Sequence, residues 1–335
     1  MSASKIDILN IFLIFISLFI AIKIPFELFI FSYAALGPLH YLTEINWLHQ
    51  KNYFISSHKN WSIILIVLTI LISIYPIVKF SGLGLTESAE YVINLLKGKT
   101  KLFLLIGFLF AISLIFLKSN KGVVIALVFI IFFSFITITF YPKPFFIIGA
   151  LLPTLIHVYV FTLFFIFYGA LKSRSKYGFY LGIILFTIPF IISYIPIKYL
   201  NYNPSEETIQ TFFNTDMISL SEIVSKLLNG FKDDKFLPLS ELGIRIEIFI
   251  AFAYTYHYLN WFSKTSIIGW KDTISKQKVL LILLIWVASV GLYIYDFKIG
   301  LIALFFLSYL HVLLELPLNL ITIKGLLFLS KFKRN

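Results

Sequence analysis

The sequence predicts an all-α fold, a polytopic integral membrane helical bundle of about ten transmembrane helices, and three observations predict it. Charged residues make up 13% of the chain, against roughly 25% in soluble domains, so there is too little charge to cover a water-facing surface. Hydrophobic residues make up 59%, with 38 Phe and 19 Tyr, more apolar surface than one water-soluble core of 335 residues buries. The apolar residues also fall into runs that approach or exceed ~18 residues, the length that crosses a hydrocarbon layer. The whole chain, 1–335, reads as a single transmembrane domain with one extramembrane polar loop at about 201–240.

The first span is expected at residues 7–22, retained rather than cleaved, because only Lys5 precedes it and no small-residue cleavage pattern follows. Lys23 and Pro25 separate it from a second span at 26–45, where Pro25 suits a first helical turn that has no N–H to satisfy. After a polar segment, a third span covers 61–78. Residues 81–100, with Gly82, Gly84, Glu87 and Glu90, read as an amphipathic interfacial piece. Spans four and five, 101–117 and 122–141, are joined by a tight turn at Lys118-Ser119-Asn120-Lys121. A second turn at Tyr141-Pro142-Lys143-Pro144 leads to span six, 145–170, which holds Pro153 and His157. Span seven is 177–199, with Pro189 and Pro196. In the following loop, Asn203-Pro204-Ser205-Glu206 is placed to cap a short helix, and Asp233 and Asp234 read as a solvated face. Spans eight, nine and ten are 241–262, 279–294 and 299–321, and the tail is basic.

The net charge of +12 would point to nucleic acid in a soluble protein. Here Lys and Arg cluster between apolar runs, so they read as topology signals and anionic-lipid contacts, and no nucleic-acid partner is expected. With ten spans, Lys51, Lys118, Lys121, Lys172, Arg174 and Lys276 lie on the side of both termini. The positive-inside rule then places the protein in the cytoplasmic membrane with both termini cytoplasmic. The chain has no cysteine, which excludes a disulfide, a thiolate metal site, an iron–sulfur cluster and a cysteine nucleophile.

Four histidines fall inside spans: His40, His157, His257 and His311. Those spans run in one direction, and each histidine lies in the second half of its span, so all four share a depth. Polar groups at that depth are costly and face the bundle interior, paired or functional. Four imidazoles without cysteine suit iron, copper, zinc, nickel or cobalt. An all-nitrogen site with an open position best suits non-haem Fe(II) handling dioxygen; zinc with an activated water uses similar ligands.

Glu44 and Glu315 each follow a histidine by four residues, hence on one helix face. Each is placed to accept the second ring N–H of its histidine, or to enter the ligand set itself. Tyr41, Tyr256 and Tyr258 flank histidines and are candidates to orient a substrate or donate to bound oxygen. Trp47, Trp61, Trp261 and Trp270 read as interfacial belt residues. Arg245, Glu247 and Glu27, on the opposite side of the membrane, read as an ion pair or part of a transport path.

The same residues support other uses. A metal-ion or proton-coupled transporter would draw on Pro25, Pro153, Pro189, Pro196 and Pro317 as marks of broken helices. A bis-histidine haem protein would use two facing histidines, although no haem-attachment motif is present. A purely structural protein would use them as hydrogen-bonded pairs between helices.

Histidines within apolar helices, and the Gly37-Pro38-Leu39-His40 approach to the first of them, resemble the Brp/Blh family of bacterial and archaeal membrane β-carotene 15,15'-dioxygenases. The resemblance implies iron held by intramembrane histidines and cleavage of a polyene that enters from the bilayer. The family follows its first histidine with Gly and then Asp, where this chain has Tyr41 and Glu44. It carries a late pair of histidines four apart, where this chain has His257 and Trp261, so His311 would supply the remaining ligand. The expected partner is a hydrophobic, lipid-like small molecule: a carotenoid, an isoprenoid or another lipid.

Overall fold

The computed structural model describes residues 2–55, 60–81, 86–141, 149–228, 236–270 and 274–329. The turn at Pro142 to Pro144, the glycines Gly82 and Gly84, Asp233 and Asp234, and the basic tail from Lys331 lie outside the described residues.

Every regular element among the described residues is helical. Seven of the helices are long and apolar enough to cross a bilayer: Ala3–Lys23, Ser62–Lys79, Asn120–Phe140, Gly149–Ser173, Lys176–Ser193, Lys276–Tyr295 and Phe297–Phe328. An eighth is reached if the bent pair Glu87–Lys97 and Thr100–Phe116 counts as one span. The protein is therefore an all-α, multi-pass membrane bundle.

The apolar criterion supports seven or eight spans rather than ten, and the reason is chemical. Two expected spans, 26–45 and 241–262, do form helices, but they carry the polar load of the candidate site. Glu241–Lys264 is one continuous helix that includes Arg245, Glu247 and His257. Residues 25–50 form three joined pieces, Pro25–Phe31, a π-helical Ser32–Leu36 and Gly37–Gln50.

Several sequence signals resolve as expected. Ile24 leaves the helical region at the break before Pro25. Serine side chains accept backbone N–H groups at four helix starts: Ser119 from Gly122, Ser175 from Gly178, Ser205 from Thr208 and Ser240 from Gly243. Pro25, Pro153 and Pro196 do stand at interruptions, next to the non-helical Ile24 and Thr154 and just past the helix that ends at Ser193, whereas two others depart from the broken-helix expectation. Pro189 and Pro317 sit inside helices that continue through them, Lys176–Ser193 and Phe297–Leu329.

The chain divides into two compact units. The first comprises Met1–His40, Thr154–Ile285 and Thr322–Asn335. Its most thoroughly buried helix is Glu241–Lys264, against which Ala3–Lys23, Pro25–Phe31, Lys176–Ser193 and Ile218–Leu227 all pack. In lipid there is little hydrophobic gain from helix association, so small residues and polar pins matter more. Gly178 lets Lys176–Ser193 approach closely; a Cβ there would lie 2.7 Å from the Cβ of Ala170. Ser32 and Thr255 hydroxyls meet at 2.7 Å, and Asn10 donates to Ser263 at 2.8 Å. Phe12, Phe15 and Phe19 on the first helix remain exposed, as expected of a lipid-facing stripe.

The 201–240 stretch contains two helices, Glu206–Asn214 and Ile218–Leu227. It docks back on the first unit. Phe212 is fully buried edge-on to Phe26, with ring centroids 4.8 Å apart, and Tyr202 donates to Glu27 at 2.7 Å. Burial and the neighbouring Glu27 carboxylate push the Tyr202 phenol well above its usual range.

The second unit comprises Tyr41–Pro153 and Trp286–Ile321. In it, Thr100–Phe116 packs between Ser62–Ser81 and Asn120–Phe140. Phe129 and Phe132 on Asn120–Phe140 are exposed, again as lipid would favour.

Candidate metal centre

The first unit holds three of the four intramembrane histidines, and the helices that carry two of them are locally rewound. His40 follows the π-helical turn Ser32–Leu36, closed by the Gly37 N–H to the Ser32 carbonyl. His157 lies within the π-helical Leu152–Phe161. Each π segment has a proline in or near it: Pro38 lies two residues past the first, and Pro153 is the second residue of the other. Proline has no N–H for an i−4 carbonyl, so the chain takes a wider turn beside it. A π turn rotates the following side chains relative to a regular helix and is common at functional sites. Tyr159 anchors the second π segment by donating to the Leu185 carbonyl at 2.6 Å. His257 comes from the regular, buried Glu241–Lys264 helix.

The three imidazoles converge. The Nε2 atoms of His40 and His257 lie 3.1 Å apart, and their ring centroids 4.6 Å apart at 70°. The His157 ring lies 4.9 Å from that of His257 at 64°, and a His157 ring nitrogen lies within 4.8 Å of one on His40. All three are buried, with 1%, 1% and 6% of their surface exposed for His40, His157 and His257. Behind His257, the Thr162 hydroxyl meets Nδ1 at 2.7 Å. When Nδ1–H donates to that hydroxyl, Nε2 presents a lone pair toward His40.

The walls of this cluster are aromatic. Tyr258 lies 5.0 Å from the His40 ring and 5.5 Å from that of His257. Trp261 stands edge-on to His40 at 5.6 Å and 89°. The position four residues after His257 therefore does face the cluster, but as an indole wall rather than a ligand. The belt reading of Trp261 missed this, although i+4 spacing from His257 was the available signal. Thr162 had a weaker signal, being a hydroxyl five residues after His157 in an otherwise apolar run.

In the second unit, Tyr41 lies 5.4 Å from the His311 ring at 30°. Glu44 and Glu315, exposed by 1% and 3%, hydrogen-bond to each other. Two carboxyls bond only when one of them keeps a proton. The sequence expected each to serve its own histidine; their mutual bond was not legible, because it needs the helices that carry them to be neighbours.

Tyr256 is also buried, stacked parallel to Phe252 at 5.9 Å. Among the described residues its hydroxyl has no hydrogen-bond partner. Arg245 does not pair with Glu247. Its guanidinium reaches the Ile195 carbonyl at 2.9 Å and Glu241 at 3.5 Å. The expected ion pair is thus replaced by a bond within the same helix turn.

No family model, no curated protein and no solved structure matches this chain. The functional reading therefore rests on the chemistry of the buried cluster. His40 offers a ring nitrogen at ligand spacing from one of His157, and its Nε2 lies 3.1 Å from that of His257; with no thiolate nearby, such a buried histidine cluster is able to coordinate a transition-metal ion inside a multi-pass membrane protein.

Proposed function

We propose that the protein is a membrane non-haem iron oxygenase acting on a carotenoid, isoprenoid or other lipid-like substrate. The observation that carries the reading is the 3.1 Å separation of the His40 and His257 Nε2 atoms. With metal–nitrogen bonds of ~2.0–2.1 Å, that separation corresponds to two ligands ~100° apart on one ion. Axial haem ligands sit on opposite faces of the iron, with nitrogens ~4 Å apart, so the spacing favours a non-haem ion.

The proposed ligands are His40, His157, His257 and His311. His311, buried within the second unit, is carried over from the sequence reading as the fourth candidate ligand. A bound non-haem iron would supply the dioxygen chemistry of double-bond cleavage. The chain's own residues would do the rest. Thr162 holds His257 in the tautomer whose Nε2 is free to bind. Tyr258 and Trp261 wall the cluster with ring faces and edges that suit a flat polyene and exclude water. Tyr41 lies against the His311 ring, and the Glu44–Glu315 pair holds one proton and one negative charge between its two carboxyls. Tyr256, buried on the His257 helix and stacked on Phe252, is kept as a candidate to orient the substrate or donate to bound oxygen.

This reading keeps the resemblance to the Brp/Blh family, and the distribution of Lys and Arg keeps both termini on the cytoplasmic side. It is tested by purifying the full chain in detergent after growth with iron, measuring iron per protein, and incubating with β-carotene under labelled dioxygen. The expected result is about one iron per chain and label in an aldehyde product. Iron-free protein from iron-replete cells, or a zinc-only site, would overturn it.

A further inference from the structure

The second unit carries an exposed apolar and basic surface on the helix Glu87–Lys97. That helix runs through Gly98 and Lys99 into Thr100–Phe116, with the two axes 54° apart. Thr100–Phe116 has no charged residue besides Lys101 and packs between Ser62–Ser81 and Asn120–Phe140, so its first turn lies where the chain enters hydrocarbon. Glu87, Glu90, Asn94 and Lys97 share one arc of the preceding helix, at 100° per residue. Continuing the span would draw that polar arc into lipid at a high cost. The bend instead lets the helix lie along the membrane surface, with its last turn at the level of the headgroups.

Its apolar residues point two ways. Ala89, Ile93 and Leu96, at i, i+4 and i+7, form a half-buried side of a helix that packs on Ser62–Ser81. Tyr91 and Leu95 stand on another side, with 72% and 50% of their surface exposed. The backbone stays in the right-handed helical region at Gly98 and Lys99, so Tyr91, Leu95 and Lys99, four residues apart, run as one stripe. An exposed aromatic and an exposed leucine are costly in water and favourable at the boundary of headgroups and acyl chains.

Lys97, Lys99 and Lys101 are all exposed at the end of that stripe. Lys97 and Lys99 have no carboxylate three or four residues away in the chain, so pairing within a helix turn does not account for them. Glu87 and Glu90 lie in the first turn, at the other end of the helix, where they complement its dipole. Topology does not account for Lys99 and Lys101 either. Lys118 and Lys121 flank the far end of Thr100–Phe116, ~25 Å away at ~1.5 Å per residue, so this span has lysines at both ends. Cations beside an apolar stripe at headgroup depth match a ligand that joins a phosphate to acyl chains. We propose that Tyr91, Leu95, Lys99 and Lys101 form a binding site for an anionic phospholipid, with the lysines at its headgroup and Tyr91 and Leu95 against the upper part of its chains.

The test uses the full-length protein in an uncharged detergent. The chain has no cysteine, so Asn94→Cys, exposed on the polar arc, takes a single environment-sensitive fluorophore. Short-chain phosphatidylglycerol, phosphatidylcholine of the same chain length and inorganic phosphate are titrated separately. The expected result is a saturable fluorescence change with phosphatidylglycerol, at a midpoint at least tenfold below that of phosphatidylcholine, and no change with phosphate. In Lys99→Gln/Lys101→Gln the phosphatidylglycerol midpoint rises at least tenfold, as expected for two lysines lost at a headgroup. Lys99→Arg/Lys101→Arg keeps it, and so does Lys118→Gln/Lys121→Gln at the other end of the span. Equal midpoints for the two lipids would overturn the proposal. So would an unchanged midpoint in Lys99→Gln/Lys101→Gln, an equal loss in Lys118→Gln/Lys121→Gln, or a phosphate response as large as that of the lipid.

Discussion

The Nε2 atoms of His40 and His257 face one another at 3.1 Å, from residues 217 positions apart in the chain. Two neutral imidazoles that both point lone pairs at this distance repel unless a proton or a cation lies between them. Thr162, on Nδ1 of His257, favours the tautomer in which Nε2 carries the lone pair. The pair is thus prepared for an ion by a neighbour that touches only one of the two rings.

Removing either ring should empty the centre while leaving the bundle folded. His40→Ala and His257→Ala are each expected to lower metal retained after dialysis to background, with helical circular dichroism unchanged. Full metal content in both variants would show that the rings only pair.

Thr162→Val keeps the shape of the side chain and removes the hydroxyl that meets His257. The expected effect is a 10- to 100-fold loss of metal affinity, the usual range for losing a group that orients a ligand histidine. Thr162→Ser should restore most of it. Competition with a chelator of known affinity measures both, and equal affinity for Val and Thr would remove the tautomer argument.

Trp261→His places an imidazole four residues after His257, where the wall now meets His40 edge-on. The variant is expected to bind metal at least as tightly as the parent, and Trp261→Phe to bind it unchanged. A loss of metal in Trp261→Phe would make the indole essential to the geometry rather than a lining.

Glu44→Ala leaves Glu315 buried without its hydrogen-bond partner. Stranding a buried polar group costs ~1–3 kcal/mol, seen as a lower unfolding temperature in detergent. Glu44→Gln, which can still donate to Glu315, is expected to recover most of that loss. If Glu44→Ala unfolds at the parental temperature, the carboxyl pair contributes nothing to the second unit.

The hydroxyl pin between Ser32 and Thr255 should be modest. A double-mutant cycle of Ser32→Ala and Thr255→Val is expected to give a coupling of ~0.6 kcal/mol, typical of hydrogen bonds between helices in a membrane. Because Ser32 opens the π turn that precedes His40, metal affinity in Ser32→Ala measures how far that turn sets the histidine.

Composition and run length determined by themselves that this chain is helical and lives in a bilayer, because no other arrangement satisfies so much backbone in so apolar a sequence. The break at Pro25, the cap at Ser205 and the burial of His40, His157, His257 and His311 were likewise readable, since each depends on neighbours within a turn or on the cost of a polar group in lipid. Ten spans were expected and seven or eight helices have the length and composition of one, because Glu241–Lys264 carries Glu241, Arg245, Glu247 and Lys264 and residues 25–50 are divided into shorter pieces. Only tertiary structure decided that Thr162 backs His257, that Trp261 walls His40, that Glu44 bonds Glu315 and that Arg245 turns away from Glu247. Each of those pairings joins residues whose meeting depends on helix rotation, and rotation is set by packing between helices and by how far the π turns near Pro38 and Pro153 advance the chain.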